Sequence, residues 1–173
     1  MTKMADENAE MDDGRATSSA GRRGRSTGAL DSAFRILARR DHTRMELAIK
    51  LRGKGYGRAA IDQALARCRE LGYLDDAKTA QIIARHLVAR GYGPLRVRQT
   101  LLQKGVDEPL IQKTLACCGD TDSQVSSARR VLEKKAARLN READVWKRRQ
   151  VAFRLLTGRG FPSAVINEVV ADL

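Results

Sequence analysis

The sequence predicts an all-α protein, built as an elongated array of three tandem three-helix repeats. Three observations predict it. From Leu30 onward, apolar residues recur at three- and four-residue spacing, and no stretch alternates apolar with polar residues as a half-buried strand would. Aromatic residues make up 4% of the chain, poor material for a sandwich or barrel. The third observation is a local pattern met three times, around Gly55, Gly105 and Gly160.

Each of these glycines has a leucine four residues before it (Leu51, Leu101, Leu156) and a cation directly before it (Lys54, Lys104, Arg159). An apolar residue follows it (Tyr56, Val106, Phe161), and an isoleucine stands six residues on (Ile61, Ile111, Ile166). This is the ending expected of a helix. A cation complements the C-terminal dipole, glycine takes the left-handed cap, and the next apolar residue packs back on the last turn. Each repeat therefore reads as one helix, a second helix ending in Lys/Arg-Gly, and a third.

Residues 1–27 read as a disordered tail, with an acidic cluster from Asp6 to Asp13 followed by arginines among Gly and Ser. Repeat 1 spans 28–74, with helices near 30–40, 43–54 and 57–71. Ile61, Ala64, Leu65 and Cys68 mark the buried stripe of the last of these. Repeat 2 spans 75–119, with helices near 76–90, 94–104 and 108–118; Asp75-Asp76 is placed to cap the first. Repeat 3 spans 120–173, with helices near 122–139, 143–158 and 162–172, opened by a cap at Asp120 to Asp122. Pro94, Pro109 and Pro162 each fall at a helix start, where a missing N–H costs nothing.

The 173 residues hold 33 Lys and Arg against 21 Asp and Glu, a net charge of +12. The tail carries five basic and five acidic residues, so the whole excess belongs to the repeats. A chain this basic is drawn to polyanions. Its apolar runs are too short to span a bilayer, and its first residues lack the apolar stretch of a signal peptide. Cys68, Cys117 and Cys118 form no disulfide framework, so a reducing, cytoplasmic setting is expected.

Catalysis is not expected. There is no phosphate-binding GxxxxGK[ST] loop, no HExxH and no CxxC pair. His42 precedes a helix and reads as a turn or capping residue, while His86 falls within another helix. Asp75 and Asp76 are adjacent on the backbone, so they cap helices rather than share a metal or a proton. No metal and no cofactor is expected. Binding residues are expected among the cations of the second helices and their ends: Lys50, Arg52, Lys54, Arg58, Lys104 and Arg159. Lys54, Lys104 and Arg159 hold equivalent positions in three stacked units, and such positions tend to form a row. Dipole complementation alone accounts for them equally well. Tyr56, Tyr92 and Phe161 are expected to pack back on their helices, and Trp146 to anchor a core or a junction between repeats.

Several of these elements together resemble a known family. Leu47-Ala48-Ile49-Lys50-Leu51-Arg52-Gly53-Lys54-Gly55 is similar to its E-L-x-x-K-L-x-x-K-G element. Gly72-Tyr73-Leu74-Asp75-Asp76 is similar to its G-Y-L-D-D element, and Leu101 to Gly105 and Arg159-Gly160-Phe161 to its later elements. The family is RecX, regulators of the RecA recombinase, and the resemblance covers about residues 30–173. Thr43 stands after His42 where the family usually has serine, which keeps a capping hydroxyl. The resemblance implies a monomeric, non-enzymatic protein that binds RecA–DNA filaments. It would inhibit strand exchange, ATPase and co-protease action in DNA repair, recombination and the SOS response, binding single- and double-stranded DNA weakly. A general basic DNA-binding protein, or an adaptor that binds only protein, would draw on the same cations.

Overall fold

The computed structural model describes residues 28–173; the tail at 1–27 lies outside the described residues. Helix α1 is described over residues 28–37. It is followed by α2 (Arg44–Gly53), α3 (Arg58–Glu70), α4 (Asp76–Ala89), α5 (Pro94–Gln103) and α6 (Glu108–Ala116). Then come α7 (Thr121–Glu133), the single turn α8 (Ala136–Leu139), α9 (Val145–Gly158) and α10 (Ser163–Ala171). No strand occurs among the described residues, so the chain is all-α.

Three separate cores correspond to the three repeats. Leu47, Leu51, Ile61, Leu65 and Cys68 fill the first. Val97, Leu101, Val106 and Ile111 pack with Ala80 and Ala84 in the second. The third is larger and takes in Leu132, Leu139, Leu156, Phe161, Val165, Ile166 and Val169. The leucine of each repeated element lies in its core with no exposed surface.

The helix endings form as the pattern requires. Tyr56 N–H donates to Leu51 C=O, Val106 to Leu101 and Phe161 to Leu156, each bond spanning the intervening glycine. Asp75 accepts the N–H groups of Ala77 and Lys78 at the start of α4, and Asp120 accepts that of Ser123 at the start of α7. Asp76 acts elsewhere: its Oδ1 accepts the Arg44 N–H at 2.7 Å, so it satisfies the first turn of α2 in the previous repeat. The two adjacent carboxylates thus cap two different helices.

The third repeat departs from expectation. A single helix from 122 to 139 is replaced by α7 and α8, with a break at Lys134-Lys135. Continued straight, α7 would carry Lys135 onto the buried face of Ala128 and Leu132. With the break Lys135 is exposed, while Leu139 lies in the core. Trp146 also departs from expectation: it is 65% exposed at the start of α9 and anchors nothing.

Candidate binding surface

The second helices of the three repeats meet head to tail, and this decides which cations are free. The last turn of α5 abuts the first turn of α2. Thr43, wholly buried, accepts the Glu46 N–H through Oγ1 and donates from the same atom to Lys104 C=O at 2.6 Å. Glu46 completes the capping box by accepting the Thr43 N–H, and its carboxylate also takes the Lys104 ammonium. Burial would raise the Glu46 carboxyl, but the hydrogen bonds from Lys104 and the Thr43 backbone outweigh it and hold the group below its ordinary value.

The last turn of α9 abuts the first turn of α5 in the same manner. Gly93 N–H donates to Arg159 C=O at 2.9 Å, and Leu95 N–H to Gly160 C=O at 3.0 Å. The Arg159 guanidinium donates back to Arg90 and Gly91 C=O, and lies 5.6 Å from the centre of the Tyr92 ring. Orphan carbonyls of one helix therefore meet orphan donors of the next, with the dipoles aligned. Gly160 is needed twice over: its φ is +79°, and a Cβ there would stand 2.5 Å from the Arg96 backbone nitrogen.

Lys104 and Arg159 therefore bind the repeats to one another, and the expected row of three equivalent cations is reduced to Lys54. At that end of the array nothing among the described residues approaches the Cβ position of Gly55 within 4 Å. Lys54 is exposed, as are Lys50, Arg52 and Arg58. Arg58 lies 3.8 Å from Asp62 across a solvated helix face. Tyr56 and Tyr92 are half-buried and Phe161 is buried, so none is a free stacking platform.

Lys50 and Lys54 join other cations in a cleft of about 540 Å³ between α1 and α2, lined also by Ser32, Arg35, Ile36, Arg39, Arg40 and His42. Five cations and no carboxylate line it. Only Arg40 among them has an ion pair within the described residues, a 3.5 Å contact with Glu46. In the sequence Arg35, Arg39 and Arg40 count only among the general cations of the first repeat; their more specific signal is the spacing i, i+4, i+5 at the end of a helix facing the second. His42 is 3% exposed, hydrogen-bonded through Nδ1 to Arg40 C=O, and its buried Nε2 has no partner. Burial holds its imidazole below the ordinary value, against the hydrogen bond to Arg40. His86 is exposed.

The described residues hold no cluster of His, Cys, Asp or Glu able to grip a metal ion, and no helix long and apolar enough to cross a membrane. The exposed cations and the carboxylate-free cleft give this end of the array a surface complementary to anions.

The chain matches family models along nearly all its described length: RecX, first three-helix domain, over residues 29–68; the second over 75–115; the third over 122–170. It is 38% identical to the regulatory protein RecX of Legionella pneumophila (strain Corby) over 148 residues, 85% of this chain and 95% of that one. The RecX of Chlorobaculum tepidum is also 38% identical, over 85% of this chain and 89% of its own. A crystal structure of RecX from Lactobacillus salivarius shares the fold with a TM-score of 0.78 at 20% identity, covering 87% of this chain and 97% of that one. Repeats, motifs and fold agree: the chain belongs to the RecX family of regulatory proteins.

Proposed function

We propose that this chain binds RecA and RecA–DNA filaments and restrains the recombinase, its ATPase and its co-protease activity. On this reading it acts in the cytoplasm as a monomer, in DNA repair, recombination and SOS control. It performs no catalysis of its own, and the ATP turned over belongs to the recombinase. Membership of a regulatory family supports the reading. The observation that carries it is the architecture: three repeats locked head to tail give a long surface, one end of which presents exposed cations. Such a body suits lying along a nucleoprotein groove or closing a filament end.

Lys50, Arg52, Lys54 and Arg58 are the proposed contacts, with Lys104 and Arg159 contributing by holding the repeats in line. Binding to RecA filaments assembled on labelled single-stranded DNA tests this. Lys50→Glu with Lys54→Glu is expected to weaken filament binding about tenfold, as for two lost charge contacts. Full binding by that variant, with unchanged helicity, would remove this end of the array from the interface.

A further inference from the structure

The basic cleft of the first repeat has a counterpart in the third. Along α1 and just past its end, the first cleft is lined by Ser32, Arg35, Ile36, Arg39 and Arg40. Along α7 and just past its end, a second cleft of about 360 Å³ is lined by Ser127, Arg130, Val131, Lys134 and Lys135. The register is the same residue for residue: a serine, an arginine three on, a β-branched apolar residue four on, and cations seven and eight on. The cation at the end of the second helix borders each cleft, Lys54 free in one and Arg159 in the other still bound to the Arg90 and Gly91 carbonyls, so the free cations of the second cleft are those along and beyond α7.

The break after α7 acquires a reason from this. It makes α7 stop as α1 stops, with two cations in the turn beyond the last helical residue. Dipole complementation does not account for such a group. A helix C-terminus carries about half a negative charge, which one cation offsets. Each cleft gathers five Lys or Arg and no carboxylate, in a chain with 21 acidic residues. The larger cleft between repeats 1 and 2 shows the contrast, with Asp62, Asp75, Asp76 and Asp107 beside two arginines.

We infer that the two clefts are equivalent phosphodiester-binding sites, and that the chain holds one nucleic-acid backbone at two points, in its first and third repeats. No Phe, Tyr or Trp lines either cleft, and the His42 ring in the first is buried, so the contacts are to phosphates and not to bases. Binding is then independent of sequence, dependent on salt, and strengthened by the joining of two weak sites on one ligand. This holds whether or not the chain restrains a recombinase, because it concerns DNA alone.

Fluorescence anisotropy at low salt on the full chain tests it, with no recombinase present. The probes are single strands of about 8 and about 40 nucleotides and a duplex of about 40 base pairs, against single-cleft sites of a few nucleotides. The longer probes are expected to bind more tightly than the short one by about a hundredfold. Arg35→Glu/Arg39→Glu and Lys134→Glu/Lys135→Glu should each remove most of that gain and lower the salt slope by about 1.5. On the short probe each should cost only about twofold, since one cleft of two survives. The glutamine versions of both pairs should show the same pattern more weakly, which covers a reversal that perturbs folding. The arm with the larger gain, single-stranded or duplex, identifies the form of DNA held. Equal affinity for short and long probes overturns the inference. So does a third-repeat variant that binds the long probes like the parent protein while the first-repeat variant loses all binding.

Discussion

Replacing Thr43 by valine isolates the joint between the first two repeats. The two side chains have nearly the same shape and Thr43 is wholly buried, so the change leaves no cavity and removes only the hydroxyl. That hydroxyl has two functions here. It caps α2 by accepting the Glu46 N–H, and it donates to Lys104 C=O across the junction. Losing an N-cap costs about 1 kcal/mol, and losing the second bond about 1 more. The sum, about 2 kcal/mol, is a factor of about 30 in the folded-to-unfolded ratio. Urea denaturation followed by circular dichroism reads the loss, and Thr43→Ser should recover most of it. If Thr43→Val is as stable as the parent, the hydroxyl does not bridge the repeats. If Thr43→Ser is as damaged as Thr43→Val, the hydroxyl is not the cause.

Further outcomes follow from the same geometry. Gly160→Ala should cost about 3 kcal/mol, from the left-handed backbone plus the clash with Arg96, whereas Gly55→Ala should cost about 1 from the backbone alone. Equal losses in denaturation would mean that no repeat is seated on Gly160. Arg159→Lys should lose about 1 kcal/mol by giving up the hydrogen bonds to two carbonyls and the stacking on Tyr92, while in a Tyr92→Leu background the same replacement should cost about half as much, since only the carbonyl contacts remain to be lost. Because burial depresses the His42 imidazole in the fold, its stabilising contribution is full above its unfolded value of about 6.5 and is lost as the pH falls from there toward the folded value. His42→Gln should therefore flatten stability between about pH 7 and 5 relative to the parent, and an unchanged pH profile would place the titration elsewhere.

What was legible in the sequence was local. The glycine endings, the caps at Asp75 and Asp120 and the buried stripe of α3 each rest on residues within a turn or two, and all formed as the spacing required. The joints were not legible, because the partners of Lys104 and Arg159 lie 58 and 69 residues away. Sequence equivalence placed both in a row of free cations, whereas stacking consumes that position wherever a preceding repeat exists. Among the described residues no repeat packs on Lys54, which stays open. A consequence is that Lys54 and Lys104 are not interchangeable test positions: Lys104→Glu would set a carboxylate against Glu46 and loosen the array. Asp76 shows the same limit, since the N–H that it caps belongs to Arg44, 32 residues earlier. The break in α7 was hidden for a different reason. Helical spacing persists through Lys134-Lys135, and only the burial of the face that Lys135 would occupy makes a turn there preferable.

The most direct test of filament regulation is the DNA-dependent ATPase of the cognate RecA, titrated with this protein at two salt concentrations beside a parallel measurement of its binding to bare DNA. Regulation of the filament predicts that ATPase falls at sub-stoichiometric protein, and at both salts, while free DNA is scarcely bound. An ATPase that holds until the DNA is coated, and recovers with salt in step with DNA release, would contradict it and leave competition for DNA as the whole effect.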